Sequence, residues 1–150
     1  MPEGRPWSLD VPLSWDWEDG SPAMAFARRD GLGVLQISAH TKPDGDVTFF
    51  DVMSTASERC DESVQLEACD VGDFRGLVAT VARPQGHFRE WWLSAGPTLV
   101  YVTYNCSLEH AGAEDEEVDA VLATLRDEIR NPTPPPRDEG DGPLHPWQMP

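Results

Sequence analysis

The adjacent pair Trp91-Trp92 constrains the fold more than any other feature of this sequence. It lies in "HFREWWLSAGPTLVYVTYNCS", residues 87–107. Two apolar-rich runs joined by "AGP" read as a β-hairpin. Successive strand residues point to opposite faces of a sheet, so one indole lies on each face. His87, Arg89, Trp91 and Leu93 share one face; Phe88, Glu90, Trp92 and Ser94 share the other. On the returning strand, Val100, Val102, Tyr104 and Cys106 make the better core face. Leu99, Tyr101, Thr103 and Asn105 make a more amphipathic one. A sheet buried on both faces needs two covers.

The remaining elements supply candidates for those covers. "WSLDVP" alternates as a short strand, and Trp15 and Trp17 follow in an irregular arm. "AMAFARR" and "GVLQISAH" are strands linked by "RDGLG", whose Asp-Gly pair favours a hairpin turn with positive φ. "VTFFDVMSTASER", residues 47–59, admits two readings: its β-branched start suits a strand, yet Phe49, Val52, Met53 and Ala56 recur with helical spacing, and helix is the expectation, with Asp46 as N-cap. "SVQLEACDV" should place Val64, Leu66 and Ala68 on one strand face. "FRGLVATVAR" is the next strand, and short linkers make an antiparallel meander with the hairpin. Residues 114–130 read as the closing helix, with Val118, Val121, Leu122, Leu125 and Ile129 on one stripe. Acids in its first turn and Arg126 and Arg130 at its end suit the helix dipole. The expected class is therefore α+β: an antiparallel sheet packed by a middle helix and a C-terminal amphipathic helix. One domain spans residues 1–130. The Pro-, Gly- and acid-rich segment 131–150 is expected to be extended or disordered, with Trp147 out of place in it.

Charge restricts the partner. Eleven basic residues against 27 acids give a formal charge of −16. No basic patch is present for nucleic acid, and an anionic membrane surface is disfavoured equally. Residues 44 to 73 hold nine acids and only Arg59 as a cation. The charge keeps the chain soluble and would steer a basic protein toward it. A homodimer is also compatible. Without a signal peptide, a membrane-length apolar run or a paired set of its three cysteines, the chain reads as cytoplasmic.

No catalytic constellation emerges. "GLG" precedes a strand rather than opening a helix, so it is a turn and not a dinucleotide loop. His40, His87, His110 and His145 are isolated, and Cys60 and Cys69 lack the close spacing of zinc ligands. Cys106 ends a strand on the core face, where a thiol is inert. "NCS" at Asn105 fits a glycosylation acceptor but lies within a strand. No cofactor, metal or catalytic residue is expected. The candidate partner-binding residues are Trp91, Trp92, Tyr101, Trp15 and Trp17.

The phrases "DVPLSWDW", "GVLQISAH", "REWWLSAGPTLVYVTYN" and "VDAVLATLRDEIR" together resemble the PsbP-like sandwich. They are most similar in character to its small bacterial members, including DcrB-like proteins and chaperones of secreted type VI effectors. The resemblance covers about residues 7 to 130. It implies an α/β/α sandwich that works by binding, and it carries over no catalytic residues. The chain lacks the lipobox and export signal of the exported members. Two functions follow as expectations: an intracellular protein-binding module (effector chaperone, adaptor or immunity-type protein), or a small-ligand domain with a tryptophan-lined pocket between sheet and helix.

Overall fold

A computed structural model describes residues 4–20 and 23–132. Among the described residues, nine strands and two α-helices run in the order β1 (Trp7–Ser8), β2 (Trp15–Glu18), β3 (Met24–Arg28), β4 (Gly33–Thr41), α1 (Phe49–Arg59), β5 (Glu67–Val71), β6 (Phe74–Arg83), β7 (Gly86–Ala95), β8 (Thr98–Cys106), α2 (Asp115–Leu122) and β9 (Arg126–Asp127). Seven strands form one antiparallel sheet in the order β2-β3-β4-β8-β7-β6-β5; β1 and β9 pair separately. The chain is α+β, with its helices on opposite faces of the sheet.

The register turns the two-tryptophan constraint into two cores. Met24, Ile37, Val102, Trp91 and Val78 lie side by side across five strands. Val118, Val121, Leu122 and Leu125 cover that row, with Trp7 and Leu9 of the N-terminal arm. On the other face Ser38, Tyr101, Trp92, Leu77 and Ala68 form the corresponding row. Val52 and Ala56 of α1 cover its middle, at Trp92 and Leu77. Trp91 is 3% exposed and Trp92 0%. The closing segment thus covers the Val100 face, and the middle helix covers the Tyr101 face.

The connection 42–66 makes this possible. Lys42 N–H donates to Pro97 O and Val47 N–H to Gly96 O, which pins the loop after β4 to the β7–β8 turn. The chain then crosses the sheet in α1 and returns at the far edge as β5. A meander from β5 to β8 brings β8 back against β4.

Several local expectations are corrected. The N-cap of α1 is Thr48, not Asp46. Thr48 Oγ1 accepts from Asp51 N–H, and Asp51 Oδ2 accepts from Thr48 N–H, a reciprocal capping box. Only Val52 and Ala56 of the predicted α1 stripe are buried; Phe49 and Met53 face out. Residues 63–66 are not strand: Val64 and Leu66 pack on the α1 core from the preceding loop. Trp15 and Trp17 stand in β2, a sheet edge, rather than in an irregular arm. The β3–β4 link does not use Asp30-Gly31 as a positive-φ turn; Gly31 is required because a Cβ would lie 2.8 Å from both Arg28 Cβ and Glu114 Oε2.

The closing helix stops at Leu122 rather than reaching residue 130. Leu125 N–H turns back to Leu122 O, and Leu125 O accepts from Asp73 N–H in the β5–β6 turn. Buried Asp127 then accepts from the backbone N–H groups of Ile129 and Arg130 and from Arg130 Nε. These bonds end the helical ladder and lead into β9, leaving Ile129 exposed. The predicted tail beyond residue 132, with Trp147, lies outside the described residues.

Trp92→Ala removes the largest side chain of the α1-side core. It should cost about 3–5 kcal/mol of stability in urea denaturation. A loss under about 1 kcal/mol would mean that α1 does not depend on that indole.

Candidate functional site

The five aromatic residues nominated from sequence separate sharply. Trp15, Trp91 and Trp92 are buried in the two cores, so their rings are not available to a partner. Tyr101 is half-buried: its hydroxyl donates to Glu90 Oε1 at 2.6 Å, and Arg59 lies 4.9 Å above its ring. Burial first, and then the Glu90 hydrogen bond, push its phenol well above the ordinary tyrosine range. Only Trp17 presents substantial surface, at 43% exposure on the edge strand β2. Burial explains the correction for the other three: both faces of β7 are covered, and Trp15 points into the α2-side core.

The exposed aromatic surface is instead on α1. Phe49 is 59% exposed, Phe50 77% and Met53 39%. Met53 links them, lying four positions after Phe49 and three after Phe50, both neighbouring spacings on a helix surface, while Val52 and Ala56 take the sheet-facing side. Phe49 also borders an open hollow of about 320 Å³ lined by Ala68, Cys69 and Gly76, with Asp70 and Arg75 at its rim. That hollow lies at β5, the sheet edge.

Acidic side chains surround this surface in sequence. Of the nine acids in residues 44 to 73, only Asp51 is not exposed to the full extent. Asp44, Glu58, Glu62 and Glu67 enter no ion pair or hydrogen bond with the described residues. Asp51 is held below the ordinary carboxylate range by Thr48 N–H and then by Lys42, whose Nζ lies 3.2 Å away. The sign follows directly: this contribution to the start of α1 is complete above the unfolded pKa of about 4 and is lost as pH falls through the lower folded value.

The acids of α2 do different work. Glu114 is 4% exposed; it accepts from Leu32 N–H, Gly33 N–H and Tyr104 Oη. Glu117 pairs with Arg28, and Asp115 and Asp119 with Arg89, which also stacks on Trp91 at 4.6 Å. These acids therefore form a clasp between α2 and the sheet.

Chemically competent side chains are scarce among the described residues. No group of three or more His, Cys, Asp or Glu could hold a metal ion. All three cysteines are free. Burial, and then Asp70, raise the Cys69 thiol to about 11. Cys106 is buried, and His110 is hydrogen-bonded to Ser107. The hollow that has Trp91 in its wall, between the sheet and α2, measures about 230 Å³. It is smaller than the usual ligand pocket of about 300–1,000 Å³. No helix among the described residues is long and apolar enough to cross a membrane.

No family model matches the chain, and no curated protein matches it. A crystal structure from Bacteroides thetaiotaomicron VPI-5482 is similar, with a TM-score of 0.58 and 19% identity. The similarity covers 91% of this chain and 47% of that one, so this chain spans about half its length. At that identity the likeness shows the fold alone.

Both tyrosines are held neutral. Tyr104 is raised by burial and then by Glu114. Their folded pKa values lie above the unfolded value, so the stability they contribute is present below about pH 10 and is lost as pH rises through the folded values. Ultraviolet titration should show no phenolate at pH 10, with ionisation appearing only together with unfolding. Normal titration of Tyr104 in the folded chain would contradict the Glu114 clasp.

Proposed function

We propose that this chain is a non-catalytic, intracellular protein-binding module that takes a basic partner onto the outer face of α1. The observation that carries the reading is the exposure of Phe49 and Phe50 side by side, at 59% and 77%, within a segment of nine acids and one arginine. A large exposed apolar cluster is costly to keep in water, and such clusters mark interaction sites. Aromatic anchors supply most of an interface's affinity, while opposite charge accelerates encounter and selects the partner. Asp44, Glu58, Glu62 and Glu67 supply charge that the fold itself does not use.

The PsbP-like resemblance agrees with this reading. Helices on both faces of an antiparallel sheet suit that sandwich, whose members work by binding. Effector chaperone, adaptor and immunity-type protein all fit a partner held by charge and an aromatic pair. The site that supports the reading has moved from the sheet tryptophans to the outside of the helix that covers them.

The test is capture from native lysate with the wild-type chain and with the Phe49→Ser/Phe50→Ser double variant as baits, each at low and high salt. The reading expects a basic protein on the wild-type bait at low salt, weakened at high salt and absent from the variant. Identical captures on both baits would overturn it. Both side chains are exposed, so the variant should keep the wild-type urea midpoint.

A further inference from the structure

The helix that covers Trp92 does not cover the whole of its face. Seven strands span about 29 Å, whereas an eleven-residue helix is about 16 Å long and 10 Å wide. Two cross-strand rows remain open beyond its C-terminal end. One runs Gln36, Thr103, Glu90; the next runs Val34, Asn105, Phe88. Gln36, Thr103 and Glu90 of the first row and Asn105 and Phe88 of the second line an open concavity of about 470 Å³, a volume within the usual range for small-molecule sites.

The chemistry of this concavity differs from that of the acidic surface elsewhere. Two of the chain's eleven cations, Arg59 and Arg83, stand on its rim. Arg59 is already engaged: it lies over the Tyr101 ring and 3.6 Å from Glu90, which also accepts the Tyr101 hydroxyl. Glu90 is thus neutralised within the wall. Arg83 is exposed, and its guanidinium makes no hydrogen bond or ion pair with the described residues. Asp61, the acid that feels its charge, is held by Ser63 through both N–H and hydroxyl, which leaves the guanidinium donors unspent. On the floor, the side chains of Gln36, Thr103 and Asn105 make no hydrogen bond among the described residues. Phe88 adds a half-buried ring beside Asn105.

We infer that this concavity is a second binding site, separate from the α1 surface, for a small hydroxylated oxyanion, that is, a sugar acid or sugar phosphate. A guanidinium with free donors suits one carboxylate or phosphate group. Side-chain amides and a hydroxyl, each able to donate and accept, suit a row of hydroxyl groups. The Phe88 ring suits the apolar C–H edge of a sugar. The set Gln36, Thr103, Asn105 and Arg83 is brought together only by the register of β4, β8, β7 and β6.

The test is nitrogen–proton NMR titration of the full chain with gluconate, with glucose 6-phosphate and with glucose as the neutral control, at low ionic strength. At least one anion should give saturable shifts of the Arg83 Nε–H and the Gln36 and Asn105 side-chain amides below about 10 mM. Arg83→Gln should weaken that binding about tenfold or more, the scale of one charge-assisted hydrogen bond. The Phe49→Ser/Phe50→Ser variant should bind as wild type, which separates this site from the protein-binding surface. A response to gluconate alone assigns a carboxylate ligand, and one to glucose 6-phosphate alone a phosphate. Absence of saturable shifts with either anion, equal binding of glucose, or undiminished binding by Arg83→Gln would each overturn the inference.

Discussion

Two large indoles on consecutive residues of a central strand oblige this sheet to be covered twice. Trp91 and Trp92 both reach 3% exposure or less, on opposite faces of β7. No single helix can do that, and the topology follows from the requirement. The chain interrupts its sheet after β4 to lay α1 across the Trp92 face, and it reserves its N-terminal arm and α2 for the Trp91 face. The crossover also sets the strand order. Because β5 starts at the far edge, the meander must return to β4, and β8 becomes the strand that joins the two halves.

Charge is divided between structure and surface. Arg28 and Arg89 each bind acids of α2, and Glu114 is buried against Tyr104 and the β3–β4 link. A buried carboxylate is tolerable there because three donors satisfy it. The acids of residues 44 to 73 mostly lack such partners. Charge left over by the fold in one place, next to aromatic side chains that the core has not taken, is a physical basis for recognition of a basic surface.

Much of the architecture was legible from periodicity. β6, β7 and β8 and their antiparallel meander follow from alternation and short linkers, and helical spacing marks residues 47–59; which segment covers the Trp92 face, the middle helix or the N-terminal arm, does not follow from them. What was not legible depends on tertiary contacts. Asp73, far from α2 in sequence, helps to end it by donating its N–H to Leu125 O and accepting from Asp127 N–H. Glu114 gave no sign of burial within an acidic run. The α1 stripe divided: Val52 and Ala56 pack against Leu77, Ala79 and Trp92, while Phe49 and Met53 face out. The site residues suffered most. Tryptophan content suggested a binding face, but large aromatics are the first side chains a core takes. The surface left exposed fell to Phe49, Phe50 and Met53, which in sequence looked like core.

The central claim is that both faces of β7 are closed and that aromatic surface survives elsewhere. Incorporation of fluorotryptophan, with fluorine NMR lines assigned by substitution, tests it most directly. On addition of a soluble paramagnetic agent, the Trp17 line should broaden while the Trp91 and Trp92 lines stay sharp. Broadening of Trp91 or Trp92 to the extent seen for Trp17 would show an open sheet face and contradict the account.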